Sequence, residues 1–132
     1  MTDLSPDSIR RNIEAVVDRK AKVDLMLSYA DHLLECDLDR SLELAGGALH
    51  IATLRTDRLG MAHSHRRIGR ALLRKGHYGE AVTQLRKAVR ELEGADDHET
   101  AQTTALELAA ALASSGDRSG ALAQYENVRR NA

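Results

Sequence analysis

Phenylalanine and tryptophan are absent from the 132 residues, and tyrosine occurs only three times. A core must therefore be assembled from Leu, Ala, Val and Ile, which suits helices in close contact and argues against aromatic-rich sandwiches or base-stacking surfaces. The single cysteine, Cys36, rules out an internal disulfide and provides no thiolate pair for a metal. No uninterrupted apolar run approaches the ~20 residues that a membrane-spanning helix needs. Met1 to Asp7 is polar and has no signal-peptide core, so the expected location is the cytoplasm. An excess of one charge is also missing: 19 Lys and Arg face 20 Asp and Glu, for a net charge of −1. No global field then draws the chain to nucleic acid or to an anionic membrane, and electrostatic recognition has to be local.

What is present is a period. Cys36, Gly76 and Gly116 each precede a short polar turn, and Ser41, Ala81 and Ala121 follow five residues later. Ala45, Leu85 and Tyr125 come next, then Ala48, Ala88 and Val128, every set at a spacing of 40 residues. Self-similarity at that spacing is the signature of stacked supersecondary units. With 42% hydrophobic and 30% charged residues, the composition is that of a folded domain.

Seven helices follow from the pattern. Ser5-Pro6-Asp7 combines a capping hydroxyl, a first-turn proline and an acid at the positive end of the dipole. Ile9, Ile13, Val16 and Val17 extend that helix over about residues 6–17. Further helices are predicted near 20–35, from after the turn Cys36-Asp37-Leu38-Asp39 to about 55, and near 59–75, 78–93, 98–115 and 118–131. Gly76 and Gly116 stand where helix ends favour a left-handed residue. Longer polar connections are expected around Thr56-Asp57 and Gly94–Asp97. The predicted fold class is all-α, an α-solenoid of stacked antiparallel helical hairpins. Residues 1–19 form an N-terminal capping helix, and three hairpins cover about 20–57, 58–97 and 98–132.

Ile68-Gly69, Leu72, Gly76, Tyr78, Ala81, Leu85 and Ala88 resemble the tetratricopeptide repeat in residue type and spacing. Leu108-Ala109, Leu112, Gly116, Ala121, Tyr125 and Val128 look like a diverged copy. A weaker one carries Tyr29 and Cys36 where the others have Gly69 or Ala109 and glycine. The usual period of that family is ~34 residues, so 40 implies longer helices or longer inter-repeat loops. The resemblance implies that Gly69, Gly76, Tyr78, Ala81, Leu85, Ala88, Gly116, Ala121 and Tyr125 define the stack. It also implies that the first helix of each hairpin lines a concave groove holding a peptide or a partner helix.

Carried onto the middle unit, the lining positions are His63, Arg66, Arg67, Arg70 and Arg74. Arg66, Arg70 and Arg74 fall at successive i, i+4 steps on one helix face. Capture of an acidic peptide is one reading, because the guanidinium fork matches a carboxylate. A solvated charged face is the other. Met26 and Ala30 stand where carboxylate clamps of this family use asparagine and lysine, which argues against a chaperone C-terminus as ligand. No metal site is expected, since His63 and His65, two apart on a helix, point to different faces. No cofactor is expected either, for no nucleophile elbow, phosphate loop or dinucleotide fingerprint occurs. Gly46-Gly47 lies in the middle of a helix, which it should weaken by roughly 1–2 kcal/mol relative to alanines.

The sequence thus predicts a non-catalytic protein–protein interaction scaffold. The expected partner is a protein or acidic peptide held in the groove, and the resemblance extends to regulatory modules of bacterial signalling proteins. The alternative is a homodimer that pairs through a helix face or the terminal hairpin.

Overall fold

The computed structural model describes residues 3–131, in which seven helices and no strand occur. They are α1 (Pro6–Glu14), α2 (Arg19–Leu33), α3 (Leu38–Leu54), α4 (Arg58–Arg74), α5 (Tyr78–Gly94), α6 (His98–Ser114) and α7 (Arg118–Arg130). Consecutive helices pack side by side, and each hairpin stacks on the next.

The 40-residue period comes from helix length. Helices α3 to α6 are 17 residues each, and the links 55–57, 75–77, 95–97 and 115–117 are equally short. The connections at Thr56-Asp57 and at 95–97 are therefore no longer than those inside a hairpin. All four links share one construction. A left-handed residue ends the turn: Thr56 (φ 54°), Gly76 (φ 82°), Asp96 (φ 59°) or Gly116 (φ 93°). The next N–H reaches back to a carbonyl five residues earlier, for example from His77 to Leu72 O at 2.9 Å and from Asp117 to Leu112 O at 2.9 Å. That bond satisfies a carbonyl the helix end leaves free. The same residue is the cap of the following helix. Asp37, Asp57, Asp97 and Asp117 each accept a backbone N–H three residues on, whereas His77 makes no such side-chain bond.

Helix α1 ends at Glu14, short of the expected residue 17, and Val17 is 91% exposed. The reason lies in Asp18. Its carboxylate caps α2 by accepting from the Ala21 N–H at 2.9 Å, and a capping residue needs extended backbone (here ψ 122°). The chain has to leave the helical conformation just before it. What remains of α1 is pinned by Ile9 against Tyr29 and Leu33, by Asn12 Nδ2 donating to Tyr29 Oη at 2.7 Å, and by Arg40 Nη1 donating to Leu4 O at 3.1 Å.

Small residues set the helix spacing. Ala81, Leu85 and Ala88 are wholly buried. Leu85 belongs to a cluster with Leu72, Leu108, Ala111 and Leu112, so α5 is held by both α4 and α6. Gly69 makes that possible, because a Cβ there would stand 2.7 Å from Leu85 Cγ. The first unit reverses the size pairing, with Tyr29 and Ala45 at the positions of Gly69 and Leu85. In place of Ala81 it has Ser41, whose buried hydroxyl donates to Ala30 O at 2.7 Å and so joins α3 to α2. Gly47 in α3 faces the end of the Met26 side chain, while Gly46 faces open space.

Candidate functional site: the groove of first helices

Helices α2, α4 and α6, the first of each hairpin, lie along one side of the stack. They border a shallow, open cleft of about 400 Å³ lined by Asp24, Leu27, Ser28, Asp31, His63, Arg66, Arg67 and Thr100. Three of the five expected groove residues are there. Arg70 and Arg74 continue the same helix face beyond the cleft. Met26 and Ala30, expected on the groove, are buried in the core instead, Met26 in a cluster with Val23 and Ala48.

The arginines are not left to solvent. Arg66 Nε donates to Glu107 Oε1 at 2.7 Å, and Arg70 Nε approaches the other oxygen of that carboxylate at 3.1 Å. Arg67 grips Asp31 with two bonds of 3.1 and 3.2 Å, and Arg70 Nη1 lies 3.8 Å from the same carboxylate. Arg74 pairs with Glu35, and beside it Lys75 reaches Asp39 at 2.7 Å, holding that carboxyl below its usual range. Asp31 (α2) and Glu107 (α6) therefore bracket α4 from both sides, and each is shared by two arginines. The result is one ion-pair network across three hairpins. A single exposed pair contributes about 0–1 kcal/mol, but bidentate geometry and sharing make a network worth more than isolated pairs.

His63 is the one uncharged member of the set. Burial, and secondarily the Arg67 guanidinium, push its imidazole below the usual histidine range, so it is neutral at pH 7. Its Nδ1 is closed off from solvent and has no partner among the described residues. His65 points the other way, into the α4–α5 interface, with Nδ1 2.7 Å from Gln84 Oε1 and Nε2 3.5 Å from Glu91. Among the described residues, no three His, Cys, Asp or Glu side chains converge as metal ligands. No helix there is long and apolar enough to cross a membrane.

The repeat-defining positions fall into three groups. Gly69, Ala81, Leu85, Ala88 and Ala121 are buried, and Gly76 and Gly116 supply left-handed turns. Tyr78 and Tyr125 are exposed, and Tyr125 stands where Leu85 is fully covered.

Antiparallel hairpins stacked in register, with one helix of each pair facing a shared groove, define a helical-repeat solenoid. The chain is similar to the crystal structure of the TPR domain of Arabidopsis FLU, with a TM-score of 0.79 at 17% sequence identity. The match covers 86% of this chain and 97% of that one, and the fold is that of the tetratricopeptide repeat. No protein-family model matches the sequence, and no curated protein does.

Proposed function

We propose that this chain is a non-catalytic protein-interaction module that holds a peptide or helix of a partner in the groove of α2, α4 and α6. The observation that carries this reading is the cleft itself, to which all three first helices contribute side chains. A groove shared by consecutive repeats is the extended binding surface that stacked hairpins build. The chemistry of the cleft refines the partner. Asp24 and Asp31 line it together with Arg66 and Arg67, so an acidic side chain entering it shares guanidiniums already held by Asp31 and Glu107. Leu27 and the neutral His63 supply its uncharged surface. The resemblance to repeats of bacterial regulatory proteins supports a signalling role, and the lone cysteine is compatible with a reducing cytoplasm.

Photo-crosslinking tests the reading. A photoreactive residue at the exposed Ser28 position, in the cleft, should capture a partner polypeptide that the same residue at Lys87 on α5 does not. Equal capture at both positions would remove the groove as the binding site. Pairing of two copies needs exposed apolar surface, and the end of the stack offers some.

A further inference from the structure

A second cleft lies on the second helices of the last two hairpins. It measures about 240 Å³ and is bordered by Arg86, Val89 and Arg90 of α5, Leu108 of α6, and Gln124 and Asn127 of α7. Helices flank it on both sides, so it lies within the stack and not on an end face. The buried Leu108 and the half-buried Val89 form its apolar floor. Arg86 and Arg90 stand four residues apart and so project from one face of α5. Neither is in an ion pair among the described residues, whereas Arg66, Arg67, Arg70 and Arg74 of α4 all are.

Unpaired arginines are common on this surface, and Arg58, Arg118, Arg129 and Arg130 are others. Convergence sets Arg86 and Arg90 apart, because they share one cleft with two carboxamides and an apolar floor. Arg19 and Lys22 also share a cleft, but its other lining is Ile51 and Leu54, whose side chains offer an anion no hydrogen bond. Asn127 Oδ1 accepts from Asn131 Nδ2 at 3.3 Å, which leaves the Asn127 amide hydrogens for a ligand. One period earlier, Gly46 and His50 stand in place of the two arginines, and Gln84, in place of Gln124, is already bonded to His65. Charge and size narrow what fits. Glu93 borders the same cleft and pairs with neither guanidinium. Two guanidiniums and one carboxylate leave a single positive charge, which one more carboxylate neutralises and a phosphate dianion overshoots. A volume of about 240 Å³ falls below the roughly 300–1,000 Å³ of small-molecule sites and suits a single side chain.

We infer that this cleft of α5, α6 and α7 is a second recognition site, separate from the groove of first helices, for a glutamate side chain of a partner polypeptide. The carboxylate meets the guanidiniums of Arg86 and Arg90, whose planar forks match it. Gln124 and Asn127 donate side-chain amide hydrogens to the same oxygens. The methylenes of the glutamate lie on Val89 and Leu108. The acidic ligand that the arginine stripe of α4 suggests thus finds its unshared guanidiniums on α5.

The test uses the full chain and three probes: a short peptide of alanines around one Glu, blocked at both ends, the same peptide with Gln for Glu, and free glutarate. Binding is read by amide chemical-shift mapping. The expected result is saturable binding of the Glu peptide, with shifts at Val89, Leu108 and the side-chain amides of Gln124 and Asn127. The Gln peptide should bind about tenfold more weakly, or less. Arg86→Gln/Arg90→Gln should weaken the Glu peptide by about tenfold or more. Arg118→Gln/Arg129→Gln removes two other unpaired arginines and should leave binding unchanged. All four arginines are exposed, so unchanged circular dichroism melts confirm that both variants are folded. Equal losses in the two double variants would reduce the effect to overall charge and overturn the proposal. Shifts confined to His63, Arg66 and Arg67, no saturation at all, or equal affinity for the Glu and Gln peptides would overturn it as well. So would glutarate bound as tightly as the Glu peptide, because a free dicarboxylate would then be the ligand.

Discussion

Two glycines in the middles of helices give the sharpest test of the packing, since the same substitution should act on them with opposite signs. Gly46 sits in α3 with nothing within 4 Å of the place where a Cβ would go. Gly46→Ala then gains helix propensity and nothing opposes it, a stabilisation of about 1 kcal/mol. Gly69→Ala gains the same in α4, but its Cβ would meet Leu85 Cγ at 2.7 Å and Leu85 Cδ2 at 2.8 Å. Leu85 has no room to retreat, being fully buried among Leu72, Leu108 and Leu112. Overpacking of that kind costs about 1–3 kcal/mol, so the net effect is neutral to about 2 kcal/mol destabilising. The two variants should therefore differ by roughly 1–3 kcal/mol in urea unfolding monitored by circular dichroism, with unchanged slopes. If Gly69→Ala is stabilised as much as Gly46→Ala, α4 and α5 do not cross where Leu85 says they do, and the argument for small residues as spacers fails.

Two further outcomes follow from capping and from titration. His77 is the exception among the caps of α3 to α7, so His77→Asp should add the missing bond to a backbone N–H and stabilise the chain by about 1 kcal/mol, less a few tenths for the neighbouring Glu80. A thermal melt that does not rise would show that the turn cannot present the carboxylate to α5. His63 has a folded-state pKa below the ordinary value of 6.5, so the unfolded chain binds the extra proton first. Its contribution is fully present above pH 6.5 and is lost as pH falls from there through the folded pKa. Urea midpoints measured across that window should fall more steeply for wild type than for His63→Gln, and parallel curves would contradict the assignment.

The helices were legible because glycine turns and alanine crossings repeat at a fixed period, and six of the seven lie within two residues of expectation. The shorter rhythm inside that period was also present. Asp37, Asp57, Asp97 and Asp117, with His77 between them, mark helix starts every 20 residues. A reading in steps of 40 sees the glycine turns but takes Thr56 and Asp96 for parts of longer loops. The end of α1 was hidden because Val16 and Val17 keep a helical pattern that the cap at Asp18 overrides. The partners of the groove arginines were hidden for another reason. Arg67 and Asp31 are 36 residues apart, and Arg66 and Glu107 are 41 apart. A stripe read along one helix says nothing of acids on the next, yet in a stacked repeat such separations of about one period bring side chains together.

That network changes what the groove can discriminate. Arg66, Arg67, Arg70 and Arg74 each already have a carboxylate, so an incoming acid gains little net charge attraction in the cleft unless Asp31 or Glu107 gives way. In the proposed binding mode, selection in the cleft then rests on shape and on hydrogen bonds rather than on the sign of the ligand. By contrast, Arg118 and Arg129 of α7 are in no ion pair among the described residues. The near-zero net charge of the whole chain conceals this division. Arg66, Arg67, Arg70 and Arg74 of α4 hold hairpins together through these pairs, whereas Arg58 at the start of the same helix makes none among the described residues.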